Sequence, residues 1–224
     1  MTSADRHYTG AAGHQYHIGK RFLPAAAVPW VANLRAEKLQ PHVHPTDTVF
    51  EYGAGYAWNL LSLRCARRIG YDISEHSGSD DKTIEWTREL ASIPTESVDV
   101  IICHHALEHL VNPAEALGTM RNLLRSGGRL LLFVPFEKER RYRHFDPGEP
   151  NHHLYSWNAQ TLGNLITESA FKLESIGIGE FGYDRFAANL AIKLKMREGT
   201  FRLIRRMTHL LKRASEVRCV AVRT

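Results

Sequence analysis

Seven apolar runs along the chain are short and bounded by polar or glycine-rich breaks, and most are separated by segments with helical spacing. "DTVFEYG" reads as a buried strand ending at Glu51. "RIGYDIS", ending at Asp72, "KTIEWT", "SVDVIICHH" and "RLLLFVPF" follow as strands two to five, with "FKLESIGIG" sixth and "SEVRCVAVRT" last. Helical spacing predicts helices over "AWNLLSLRCARR", from Asn112–Pro113 to Arg125, over "NAQTLGNLITESA", and over 185–212 with a break at Gly199. Asn112 before Pro113 is an N-cap followed by proline at the first helical position, and Gly127–Gly128 is a stop. Ahead of the first strand, Pro24 to about His42 reads as helix, with Pro41 ending it. Residues 1–23 are polar and without a period, and read as an arm. Residues 136–157 form a long loop full of His, Arg, Tyr and Pro.

Strands alternating with helices predict an α/β fold: a single Rossmann-like three-layer sandwich with a seven-stranded, mostly parallel sheet. In such sheets ligands sit at the strand C-termini, near the point where strand order reverses. The organisation expected is an arm and helix over 1–45, a possible lid, and one domain over 46–224 carrying a helical insertion at 185–212.

Composition narrows the class. With 224 residues, 43% hydrophobic and 24% charged, the chain reads as one soluble globular domain. It has no run of eighteen apolar residues, so no membrane span is expected. "MTSADRHYTGAAGHQYH" lacks the apolar core of a secretory signal. Cys65, Cys103 and Cys219 are scattered, which suits a reducing compartment and points to a cytoplasmic location. The net charge of +5 is local: residues 193–213 carry eight basic side chains against one acid, leaving −2 on the rest. That is no whole-protein nucleic-acid signature, and no nucleic-acid partner is expected.

The stretch after the first strand holds the most chemistry. Gly53 and Gly55 look like a dinucleotide fingerprint, but Trp58 stands where a third glycine would let helix and strand close on a pyrophosphate. Glu51, two residues before Gly53, would face that pyrophosphate poorly. S-adenosylmethionine fits better, having an ammonium, a carboxylate, a sulfonium and no phosphate. The glycines let the backbone approach its methionine end. A helix N-terminus after Gly55 would favour the carboxylate. Glu51 would favour the ammonium, and Asp72, 21 residues beyond Glu51, would reach ribose hydroxyls.

"VFEYGAGYAWNLL", "GYDIS", "SVDVIICHHALEHLVNPAEALGTMRNLLRSGGRLLLFVP" and "HHLYSWNAQTLGNLITESAFKLESI" resemble, in order, the motifs of class I S-adenosylmethionine-dependent methyltransferases, closest to the small-molecule group with a Leu-Glu-His turn after the fourth strand. The resemblance implies a last strand running antiparallel. It implies that Glu51, Gly53, Ala54 and Gly55 line the methionine end, that Asp72 and Ile73 sit at the ribose, and that the backbone of Cys103–His104 faces the cofactor. The usual acid after the third strand is missing; Trp86–Thr87 occupies that region, and Trp86 packs on the adenine or in the core.

A hydroxyl or ammonium acceptor must lose a proton, work suited to histidine. His104, His105, His109, His144, His152 and His153 fall around the predicted strand ends. His105, after the fourth strand, and His153, in a segment that folds over the pocket in the family, are the catalytic candidates; the alternative is that they only shape the pocket. His105, Glu108 and His109 share one face of a helical turn and, with His152 or His153, would make a four-ligand metal set resembling that of small-RNA 2′-O-methyltransferases. The expected function is methyl transfer from S-adenosylmethionine to O or N of a small molecule, without a metal. The rivals are a metal-dependent RNA 2′-O-methyltransferase and a non-catalytic partner protein.

Overall fold

The computed structural model describes residues 3–21, 23–75, 78, 80–137, 144–146, 149 and 151–224, the side chains of 3–5 and 17–21 excepted. The arm, expected to be irregular, forms two helices, α1 (Ser3–Tyr8) and α2 (Gly10–Arg21). They carry no apolar stripe, and their contacts run instead through aromatic rings: Tyr8 and Tyr16 meet edge to face 5.1 Å apart. The next helix, α3, covers Val28–Leu39.

The strands are β1 (Thr48–Tyr52), β2 (Arg67–Tyr71), β3 (Ile84–Thr87) and β4 (Val98–His104). After the 3-10 turn Leu107–His109 come α4 (Pro113–Leu123), β5 (Leu124–Pro135), α5 (Ala159–Glu168) and β6 (Phe171–Glu180). Then follow α6 (Asp184–Lys193), α7 (Glu198–Leu211) and β7 (Ser215–Arg223). The sheet order is β3-β2-β1-β4-β5-β7-β6. Only β7 runs antiparallel to the rest of the sheet, as the family resemblance implies. Among the described residues no helix is long and apolar enough to cross a membrane.

Strand alternation splits the core in two. Phe50, Ile101 and Cys103 point to the face covered by α4 and α5. Val49, Val100 and Ile102 point to the face covered by α3. A third cluster joins α3 to the insertion, where Ala187, Ala188 and Ala191 let α6 lie close to Val31. Small side chains permit that approach, and Phe201 of α7 fills the remaining space.

Three expectations are corrected. The helix predicted over 57–68 is absent. Ala57 adopts φ +54°, which interrupts a helix. Tight turns follow, with Leu60 N–H donating to Ala57 O and Leu63 N–H to Leu60 O. They bury Leu60 and Leu63 at the same spacing a helix would. The break in the insertion lies between α6 and α7, with Lys195 at φ +53°, while Gly199 sits in the first turn of α7. The helix after Asn112 ends at Leu123 rather than Arg125 because β5 begins at once. Its start is as expected: the Asn112 side chain accepts from the Glu115 N–H.

Candidate active site

Sheet order reverses between β1 and β4, and a cavity of about 1440 Å3 opens at their C-terminal ends. Glu51, Gly53 and Ala54 line it from β1, and His104 and His105 from β4. Glu51 is buried and accepts a hydrogen bond from the Asn59 amide. Asn59 accepts in turn from Arg35 on α3 at 3.1 Å. The carboxylate is thus oriented by a chain of side chains rather than by solvent. Gly53 has φ +73°, and a Cβ there would lie 2.6 Å from the Ala106 Cβ. Its N–H and that of Ala54 both donate to Tyr71 O at 2.9 Å. Asp72 accepts from Gly55 N–H at 2.8 Å and from Ser74 N–H at 2.9 Å. It therefore ties the glycine loop to the end of β2.

Parity along β4 puts His104 on the α3 face, like Ile102. There it meets Lys38 of α3, whose ammonium lies 3.0 Å from His104 Nε2 and 3.0 Å from Glu216 Oε1. Glu216, on β7, is fully buried. It also accepts from Arg218 at 2.9 Å and pairs its Oε2 with His105 Nε2 at 3.2 Å. Burial raises the Glu216 carboxyl, but the His105 hydrogen bond and the Lys38 charge outweigh it and hold the pKa at about 2. Burial brings Lys38 down to about 8 despite Glu216. His104 is pushed well below the usual imidazole value, by burial first and Lys38 next. Burial also lowers His105, opposed by Glu216. With Glu216 ionised, His105 Nε2 is the donor of that pair and Nδ1 is the basic nitrogen. His105 holds this position at φ +54°, a left-handed conformation uncommon outside glycine.

A second group forms beside it. Glu108, His109 and His153 bring ligand atoms within 4.8 Å of one another. His153 Nδ1 lies 3.0 Å from Glu137 Oε1. The Tyr8 hydroxyl of the arm lies 2.7 Å from His109 Nδ1 and 2.9 Å from Asn151 O. Each imidazole thus has its Nδ1 engaged by an oxygen, His109 by the arm's Tyr8 and His153 by Glu137 of its own loop.

A methyltransferase-domain family profile matches residues 20–176. The chain belongs to that family.

Three solved structures share the methyltransferase's fold. A Haemonchus contortus phosphoethanolamine N-methyltransferase 2, solved with phosphomonomethylethanolamine and S-adenosylhomocysteine, has TM-score 0.60 and 12% identity over 99% of this chain and 60% of its own. A chain of the complex between the Haloferax volcanii Trm112 methyltransferase activator and a methyltransferase has TM-score 0.62 and 16% identity, over 99% and 98%. Geranyl diphosphate C-methyltransferase from Streptomyces coelicolor A3(2), solved with Mg2+, geranyl diphosphate and S-adenosylhomocysteine, has TM-score 0.57 and 14% identity, over 86% and 79%. A stretch of 37 residues is 57% identical to the highly reducing polyketide synthase pkhB of Emericella nidulans. It covers 16% of this chain and 2% of the synthase.

The methyltransferase brings Glu51, Gly53, Ala54, His104, His105 and His153 to one cavity. Gly55 and Asp72 lie just behind it, bonded to each other. Ile73 is 36% exposed, and the Thr87 hydroxyl bonds Glu89 O and Ser92. Cys103 is buried on the far face of the sheet. The Trp86 ring lies across Gly70, where an added Cβ would come within 2.9 Å of it, and packs against the α3-side core. The helix N-terminus expected after Gly55 is replaced by turns. The imagined four-ligand metal set divides, because His105 joins His104 and Glu216 while Glu108, His109 and His153 stand apart. Of the arm, Tyr16 lines the cavity and His14 is exposed; the side chains of His17 and Arg21 lie outside the described residues. His144 is exposed on the loop after β5.

Lys38, Asn59, Glu137 and Glu216 were not foreseen. For Glu216 a signal exists: alternation in "SEVRCVAVR" puts Val217, Cys219 and Ala221 on one buried face and Glu216 on the other, beside Val220. An acid at a buried strand position requires a partner.

Proposed function

We propose that this methyltransferase moves a methyl group from S-adenosylmethionine to an oxygen or nitrogen of a small-molecule acceptor, with His105 as general base. The methyl donor is S-adenosylmethionine, which supplies an electrophilic methyl on a cationic sulfur. The glycine loop fits it: a side chain at Gly53 would strike Ala106, so bare backbone lines the cavity there. The buried Glu51, held by Asn59, binds the ammonium. Asp72 keeps the loop in place and has lone pairs left for ribose hydroxyls.

The single observation carrying the catalytic reading is the Glu216–His105 pair at 3.2 Å on the cavity wall. Glu216 fixes the tautomer, burial keeps the ring neutral near pH 7, and Nδ1 takes the acceptor's proton as the new bond forms. His153, braced by Glu137, shapes the acceptor side, and the arm closes over it through Tyr8. Two structural neighbours were solved with small phosphorylated molecules, phosphomonomethylethanolamine and geranyl diphosphate, which supports a small-molecule acceptor here.

Calorimetry with S-adenosylhomocysteine tests the donor assignment. Wild type is expected to bind, and Glu51→Gln to bind roughly 10- to 100-fold more weakly, the worth of a charge-assisted hydrogen bond. Absent heat with wild type, or equal affinity for the variant, contradicts the assignment.

A further inference from the structure

The insertion between β6 and β7 is apolar on two faces. Inward, Phe201 is fully buried against Trp30, with ring centroids 5.9 Å apart. Outward, Leu203, Met207 and Leu210 of α7 recur at the spacing of one helix stripe and are all more than half exposed, Leu210 at 72%. Leu211 beyond them is 87% exposed, and Phe186 and Leu194 lie out as well. Of the 13 large apolar side chains exposed among the described residues, seven fall between 186 and 211, so the exposure is concentrated in this insertion.

Cations surround that patch. Lys193, Lys195, Arg197, Arg206, Lys212 and Arg213 are exposed, and no ion pair joins them among the described residues. Two other arginines of the segment are taken up internally: Arg202 pairs with Glu37 and Glu198, and Arg205 with Asp184. A second copy is a poor occupant, because a two-fold contact would set this face, part of a segment carrying a net +7, against itself. An anionic lipid surface accommodates both features, taking up the leucine stripe at its headgroup boundary and pairing the cations with phosphate.

We propose that α6 and α7 form a docking face for an anionic phospholipid bilayer, with Leu203, Met207 and Leu210 entering the interface. Phe186, Leu211, Lys212 and Arg213 also line the cavity, so docking turns that wall toward lipid.

Flotation with vesicles tests this. Wild type is expected to float with phosphatidylcholine vesicles containing about 30% phosphatidylglycerol and not with phosphatidylcholine alone. Lys193→Glu and Arg206→Glu should each weaken binding roughly fivefold or more. The triple variant Leu203→Asp/Met207→Asp/Leu210→Asp, none of whose sites lines the cavity, should stay in the soluble fraction. Its thermal melt and S-adenosylhomocysteine affinity should match wild type, which separates this proposal from the donor assignment. Three results overturn it: no flotation with anionic vesicles at low salt, undiminished flotation of the triple variant, or a dimer in light scattering that the triple variant abolishes.

Discussion

Two histidine–carboxylate groups stand side by side at the end of β4, and their company differs. His104, His105 and Glu216 are packed with cations: Lys38 touches both His104 and Glu216, and Arg218 touches Glu216. Glu108, His109 and His153 are braced by oxygens, the Tyr8 hydroxyl and the Glu137 carboxylate. Similar residue types therefore acquire different chemistry. In the first group the ionised carboxylate is offset by Lys38 and Arg218 and the imidazoles are kept uncharged, an arrangement for moving a proton. In the second, three segments distant in sequence (the arm, the turn after β4 and the loop after β5) are joined through the Tyr8 hydroxyl, which reaches His109 Nδ1 and Asn151 O, an arrangement for holding a cover in place.

That contrast breaks first at Glu216. Removing one partner of a buried ion pair leaves an uncompensated charge, here Lys38. Glu216→Ala is expected to cost about 3–5 kcal/mol in urea unfolding. A loss below about 1 kcal/mol would mean the cluster is wetter than its geometry indicates.

The pH dependence of stability sharpens the comparison. His104 and His105 have folded pKa values below the ordinary 6.5. The unfolded chain therefore takes up protons first as pH falls, and stability drops from about pH 6.5 downward. Glu216, at about 2 against 4.5, adds a second loss between those values. Thermal melts should fall steadily below about pH 6.5, and His104→Gln should flatten the upper part of that slope. A flat profile between pH 7 and 5 would contradict neutral imidazoles in the fold.

The smallest effect belongs to the second group. Tyr8→Phe removes the hydroxyl between His109 and Asn151 and should weaken S-adenosylhomocysteine binding about fivefold, the worth of one hydrogen bond. Unchanged affinity, with unchanged protease protection of residues 8–21 on adding the ligand, would remove the arm from the site.

The sheet and the glycine loop were legible because alternation and turn chemistry are local. Strand positions, Glu51 and the Gly53–Gly55 pair all follow from neighbours within a few residues. The helix over 57–68 was misread because tight turns can bury Leu60 and Leu63 at helical spacing. The base's partner was not legible: Glu216 lies 111 residues from His105 and meets it only once β7 inserts between β5 and β6. Lys38 meets Glu216 across 178 residues for the same reason. The arm's helices escaped detection because rings, not an apolar stripe, hold them.

The most direct measurement is transfer of a labelled methyl group from S-adenosylmethionine to a panel of small alcohols and amines by His105→Asn and His153→Asn, compared with wild type. The account predicts a fall of roughly 100- to 10,000-fold for His105→Asn, the span of general-base catalysis, and less than about tenfold for His153→Asn. Full transfer by His105→Asn, or the larger loss at His153, would contradict it.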